Sequence, residues 1–297
     1  MFNVSINDSF LFVKNGSTYS YADDNILSFC SPYFDLLIST LESESKILIE
    51  WFRVNKMQAN PDKFPVLVVG KKTYDTNPSI HIQNSDLTCE KTVKLLGIEI
   101  DYQLNFDAHV SSICRKASQQ LNVLKRLGSL LNILSKLTIF HTCIHSNFNF
   151  CPLAWHFVTE KNSKKLEKVQ ERALRFVYED YNSSYEELLH KAKVHSLQIR
   201  RIRTMALETF KIVNKIAPVC LQNLVRVKNS KYSFRYVNVL DVPRVKSTHY
   251  GNKSFKFAAA TLWNSLPNHF RTENSFSHFQ SLIQSRSGSK CHCSACR

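Results

Sequence analysis

Apolar positions along this chain change period near Leu104. Before that point short β-prone runs dominate. Residues 14–30 read as a hairpin, with Lys14-Asn15-Gly16-Ser17 supplying a turn and two apolar runs flanking Asp23-Asp24. Residues 32–56 place Phe34, Leu37, Ile38, Leu41, Leu48, Trp51 and Phe52 at helical spacings, although the polar stretch 42–46 weakens that pattern in its middle. After a turn at Asn60-Pro61-Asp62, strands are expected at 64–69, 80–82 and 94–100, the last with Gly97 inside it.

Beyond Leu104 the spacing becomes three and four. Val110, Ile113, Cys114, Ala117, Leu121, Leu124, Leu127 and Leu131 predict a long amphipathic helix over 107–131. Further helices are expected at 135–147, 160–179, 184–193 and 197–216, the last stopped by Pro218. Residues 228–250 carry weak strand patterning. Helices return at 253–266 and 275–284, and a polar tail follows. The expected class is α+β: an α+β part over 1–104, helices over 105–150, a basic helical region over 151–284 and a Cys-rich tail over 285–297.

Composition sharpens this picture. At 43% hydrophobic and 11% aromatic the chain is expected to fold. Its six glycines disfavour a Gly-cradled nucleotide fold. Charge is uneven: residues 1–50 hold Lys14 and Lys46 against Asp8, Asp23, Asp24, Asp35, Glu42, Glu44 and Glu50, while the whole chain is +15. About +20 therefore lies beyond residue 50; an acidic patch followed by a long basic body suits a metal-dependent enzyme acting on a polyanion, a solvated basic surface with no partner being the other reading. Of nine cysteines, six are scattered singly, as reduced and buried thiols would be. No apolar stretch is long enough to span a membrane, and the first residues lack a signal-peptide pattern. Together these predict an intracellular protein, nuclear or cytoplasmic, with no membrane partner.

Tyr21-Ala22-Asp23-Asp24 is the motif with chemistry in it. Adjacent carboxylates repel unless a cation joins them, and hard oxygen ligands select Mg²⁺ or Mn²⁺. Two-metal phosphoryl transfer is the reaction that needs such a pair; a solvated aspartate turn is the other reading.

The order of motifs resembles the reverse transcriptases of non-long-terminal-repeat (LINE-type, jockey-like) retrotransposons. Phe2-Asn3, Ile6-Asn7-Asp8 and Phe10-Leu11-Phe12 look like that family's stretch after its substrate-binding helix, and Tyr21-Ala22-Asp23-Asp24-Asn25 like its catalytic box. Trp51-Phe52, Asn55-Lys56-Met57 and Asn60-Pro61-Asp62-Lys63 resemble the helix and turn that follow. Val93-Lys94-Leu95-Leu96-Gly97-Ile98, Ile100-Asp101, Leu104-Asn105-Phe106 and His109-Val110 resemble the primer-grip strand and the start of the thumb. Trp155 and the stretch ending Leu262-Trp263-Asn264-Ser265-Leu266-Pro267 look like its downstream region.

The resemblance implies a truncated palm over 1–104, thumb-like helices over 105–150, an RNA template and a DNA primer. It makes Asp23 a direct ligand of Mg²⁺ or Mn²⁺, with Asp24 beside it. Lys63 would lie near the incoming nucleotide's triphosphate, and Leu96 and Gly97 where the primer terminus rests. The family also uses an earlier aspartate, a Gln-Gly loop and basic fingers, which this chain does not show. The expectation is therefore a polymerase fragment that does not polymerise alone. The rival expectation is a non-catalytic nucleic-acid binder, and a third is a fragment without a stable fold.

Two basic helix faces support contact with nucleic acid. One carries Lys161, Lys164, Lys165, Lys168, Arg172 and Arg175; the other carries Arg200, Arg201 and Arg203 with Lys191, Lys193 and Lys211. Either could equally be a solvated face. Tyr232, Phe234, Arg235 and Tyr236 interleave rings with charge, as base stacking would use. Cys291, Cys293 and Cys296 have a spacing that zinc could use, a thiol-rich tail being the alternative. His141 and His145 stand four apart with no acid between them, which favours core or interface histidines over ligands.

Overall fold

The computed structural model describes residues 6, 8–58, 60, 64–70, 79–82, 85–228 and 238–285. Lys63, Tyr232, Phe234, Arg235, Tyr236, Cys291, Cys293 and Cys296 lie outside the described residues. The chain is mixed helix and short antiparallel strand pairs, an α+β composition, and divides into two compact units, Met1–Leu104 and Asn105–Arg297.

Among the described residues the first unit holds three strand pairs, one α-helix and a 3₁₀ turn at Ser9–Leu11. Strands β1 (Ser17–Tyr21) and β2 (Asp24–Ser28) pair antiparallel with Tyr21 opposite Asp24. Helix α1 (Phe34–Val54) follows. Strands β3 (Ser79–Ile82) and β4 (Ser85–Thr88) pair next, then β5 (Thr92–Leu95) and β6 (Ile98–Asp101). The run expected as a strand at 64–69 forms only a single bridge, Val66 to Cys89.

The polar stretch within α1 does not break it, because its acids have long-range partners. Glu44 is 2% exposed and accepts from the backbone N–H of Lys14 at 3.0 Å and of Asn15 at 3.1 Å, and from Asn15 Nδ2 at 2.6 Å. Glu42 accepts from the N–H of His81 in β3 at 2.8 Å. A helix-wide apolar stripe would have lost both tethers. Ile49 of α1 meets Ile80 and Ile82 of β3 in a small core, with Ile38, Leu41 and Val66 packed around it.

The second unit is helical: α2 (Asp107–Arg126), α3 (Ile133–Ile139), α4 (Glu160–Tyr178), α5 (Tyr185–Lys191), α6 (Leu197–Val213), α7 (Val219–Gln222), α8 (Phe255–Ser265), α9 (Asn268–Arg271) and α10 (Phe276–Ser285). Side-chain oxygens cap five α-helix starts among the described residues: Asn132, Thr159, Ser184 (a full capping box with Glu187), Ser196 and Ser254. With so few glycines, helix ends use other residues in the left-handed region: Lys56, Glu179, Lys193 and Lys215, at φ between 52° and 58°.

α2 and α4 run side by side in one direction. Asn162 at the start of α4 donates to Asp107 at the start of α2, and Lys125 near the end of α2 sits over the ring of Phe176 near the end of α4. α6 is a central element. Its Ile202, Met205, Ala206 and Phe210 pack with Ala258, Ala259, Ala260, Leu262 and Trp263 of α8 and with Phe279 of α10. Phe210 stacks on Phe279 at 4.4 Å. Asn264 of α8 substitutes for a strand partner: its amide accepts from Leu240 N–H and donates to Leu240 C=O, both at 2.8 Å.

The helix expected over 135–147 is shorter. It is α-helical to Ile139, passes through a π turn at Phe140–Ile144 and ends as a 3₁₀ turn at His145–Phe148. The extra residue in the π turn rotates the following side chains, and His145 stacks flat on Phe140 at 5.2 Å.

Candidate nucleic-acid interface

The first candidate lies at the tips of two hairpins in the first unit. Because Tyr21 pairs with Asp24, Ala22 and Asp23 form a two-residue loop. Ala22 has φ 55°, a region that costs a residue with a Cβ roughly 1–2 kcal/mol. Asn25 Nδ2 donates to Asp23 C=O at 3.3 Å and bridges the turn. Asp23 and Asp24 are both exposed, as is Asp8.

A Mg²⁺ site asks for near-octahedral oxygen coordination. Among the described residues no group of three or more Asp, Glu, His or Cys is placed to hold an ion. The pair therefore offers part of a coordination shell and does not by itself fit a two-metal centre.

Leu95 pairs with Ile98, so Leu96 and Gly97 are the loop of the third hairpin rather than residues inside a strand. Both have positive φ, 46° and 85°, the pattern of a type I′ turn. The expectation of Gly97 within a strand missed this, because a run of apolar residues hid the turn. Glycine suits the second loop position; leucine at the first is strained, and it is 40% exposed at the tip.

The second candidate is the outer face of α4. Leu166, Val169, Gln170, Ala173, Leu174 and Val177 are buried on its inner side. Lys161, Lys164, Lys165, Lys168 and Arg172 are all exposed. At 3.6 residues per turn these five cations fall within about 100° of arc, opposite the buried stripe. Lys164 pairs with Glu160 at 2.6 Å, and Lys165 donates to Ser111 of α2 at 3.0 Å. Arg115 lies one turn beyond Ser111 on the same side of α2 and is exposed, so it widens the positive face. Sequence patterning missed Arg115 because only the α2–α4 pairing brings it there. Arg175 falls on the same arc but is half-buried and bonded to Glu171 at 2.7 Å.

Cys114 of α2 reports the same proximity. Burial pushes its thiol up, while the charges of Lys165 and Arg172 pull it down.

The other basic face is not a face. Arg201 is 4% exposed and Arg203 is 8% exposed. Arg201 lies over the ring of Trp155 at 5.3 Å and donates to Ser163 at 3.3 Å, while Arg203 donates to the C=O of Gln284 at 2.9 Å. Arg200 is held by the His145 ring and by Asn149 Oδ1. Lys191 pairs with Asp180, and Lys211 pairs with Glu208. Residues 200–203 look basic and helical in sequence, but Arg201 and Arg203 are enclosed and their charges serve packing, while Arg200 is half-buried.

The lone cysteines also depart from expectation. Cys114 is buried and Cys89 half-buried, whereas Cys30, Cys143, Cys151 and Cys220 are exposed. Among the described residues no helix is long and apolar enough to cross a membrane.

Compared with known proteins, the chain matches no family model, no curated protein and no solved structure.

Proposed function

We propose that this chain is the palm-to-thumb part of a non-LTR reverse transcriptase, and that as it stands it holds nucleic acid without polymerising it. The observation that carries the binding half is the outer face of α4, where five exposed cations stand in one stripe. From Lys161 to Arg172 the stripe extends about 17 Å at 1.5 Å per residue. That is the axial rise of about five base steps at 3.4 Å each.

The polymerase half rests on the order of motifs and on the two strained tips. Ala22 and Leu96 are non-glycine residues at positive φ, each at the turn where the resemblance puts chemistry. Strain of this kind persists where surrounding structure or function over-determines it. In a complete core, Mg²⁺ or Mn²⁺ would supply two-metal nucleotidyl transfer, with Asp23 and Asp24 contributing carboxylates to its site. The present residues leave that site open, which is why the chain is proposed as non-polymerising.

Two assays test the halves separately. Fluorescence anisotropy with a labelled RNA–DNA hybrid should show binding that collapses when Lys161, Lys165, Lys168 and Arg172 are changed to Glu. Primer extension on a primed RNA template with Mg²⁺ should show no incorporation. Incorporation that disappears on Asp23→Ala would overturn the non-polymerising half.

A further inference from the structure

A cleft of about 220 Å³ opens in the helical unit beside the first turns of α6, away from the α4 stripe. Phe148, Pro152 and Leu197 form its apolar wall, and Asn149, Arg200 and Thr204 its polar side. Phe148 and Leu197 are 3% and 2% exposed, so the wall is fixed by the core. Sites that engulf drug-sized ligands run roughly 300–1,000 Å³; this one is smaller and open, so a ligand seated in it keeps part of its surface in solvent.

Its charge is what singles it out. Arg200 donates to Asn149 Oδ1 at 2.7 Å and to the ring of His145. Burial and the Arg200 charge push His145 down to about 3, so that ring is neutral. Both hydrogen-bond partners of Arg200 are thus uncharged. Glu167, the nearby acid, steadies the Arg200 cation by its charge but spends its hydrogen bonds elsewhere: it accepts from Leu197 N–H at 3.1 Å, Gln198 N–H at 2.9 Å and Tyr185 Oη at 2.6 Å. A guanidinium has five N–H donors, and the contacts with His145 and Asn149 do not use them all. The cleft therefore combines an apolar wall, open to solvent chiefly at Pro152, with a cation that has spare donors; the Thr204 hydroxyl already donates to Arg200 C=O at 3.0 Å.

We propose that this cleft binds one nucleotide unit, its phosphate on Arg200 and its base against Phe148, Pro152 and Leu197. The shared chemistry is a phosphate next to a flat ring, whether it comes as a free nucleotide or as an unpaired nucleotide of a strand.

Calorimetric titration of the full chain with a nucleoside monophosphate tests this. The expected result is saturable binding, with inorganic phosphate alone and the nucleoside alone each weaker by about tenfold or more. Asn149→Asp keeps the acceptor for Arg200 but cancels its charge, and Thr204→Glu puts a carboxylate at the cleft, removing the hydroxyl's bond to Arg200 C=O at 3.0 Å but not the guanidinium's contacts with His145 and Asn149. Each should weaken the monophosphate about tenfold while leaving circular dichroism unchanged. Charge reversals on α4 should leave this affinity alone, which separates the cleft from the proposed interface. Competition by a short unpaired oligonucleotide would place the natural ligand in a strand; its absence would place it in the free pool, and either supports the site. No saturable binding, or binding unchanged by both substitutions, would overturn it.

Discussion

Acidification should weaken the helical unit through His145, and the size of the effect follows from where that ring sits. It is 6% exposed, stacked on Phe140 and bonded to Arg200. Burial comes first and the Arg200 charge second in holding it at about 3, against 6.5 for a free ring. The folded value is the lower one, so the unfolded chain takes up the proton first as pH falls. Stability from keeping this ring neutral is intact well above pH 6.5 and is lost progressively between about 6.5 and 3. Integrating proton uptake gives a loss of about 2 kcal/mol between pH 7 and pH 5. Carboxylates hardly titrate in that window. His141 and His195 are also pushed down, by burial and then by arginine charges, so they steepen the same slope. Urea unfolding at pH 7, 6 and 5 measures it, in a Trp51→Phe background so that fluorescence reports Trp155 and Trp263 of this unit. His145→Gln keeps an acceptor for Arg200 and removes the titration. It should flatten the pH dependence by about 2 kcal/mol relative to the parent; identical slopes would refute the reasoning.

Three further outcomes can be checked by denaturation. Glu44→Ala strips three donors of a buried acceptor and should cost the first unit about 2–4 kcal/mol, read through Trp51 fluorescence. Gly128→Ala would bring a Cβ to 2.6 Å from Cζ of Phe176, and overpacking of this sort costs about 1–3 kcal/mol, seen as a lower urea midpoint. Lys193→Gly relieves a left-handed φ of 52° past the end of α5, so it should raise the urea midpoint, by about 0.5–1 kcal/mol.

Much of the helical unit was legible because its apolar spacing is strong. α4 runs from Glu160 to Tyr178 where periodicity gives 160–179, and α2 begins at Asp107 as expected but stops at Arg126, short of 131. Leu127 and Leu131 fit the period, yet Leu127 is 44% exposed and the chain tightens into a 3₁₀ turn at Gly128–Leu130. The π turn at 140–144 was invisible, since one inserted residue leaves apolar spacing nearly intact. In the first unit the turn at Leu96-Gly97 was hidden by its apolar neighbours, and the long-range partners of Glu42 and Glu44 have no local signature. Asp23 and Asp24 were expected at a hairpin tip, and the loop Ala22-Asp23 is at one. The basic residues divided by burial alone: the α4 cations face outward, while Arg201 and Arg203 look the same in sequence and are enclosed.

Salt dependence of nucleic-acid binding tests the central claim most directly. Each phosphate contact contributes about −0.9 to the slope of log K against log salt on duplex DNA, and about −0.7 on single strands. Changing Lys161, Lys165, Lys168 and Arg172 together to Gln should therefore flatten the slope by roughly 3 to 4 on duplex. Arg115→Gln should flatten it by about 1 more. A slope that stays the same in the quadruple variant, with folding intact by circular dichroism, would contradict the account.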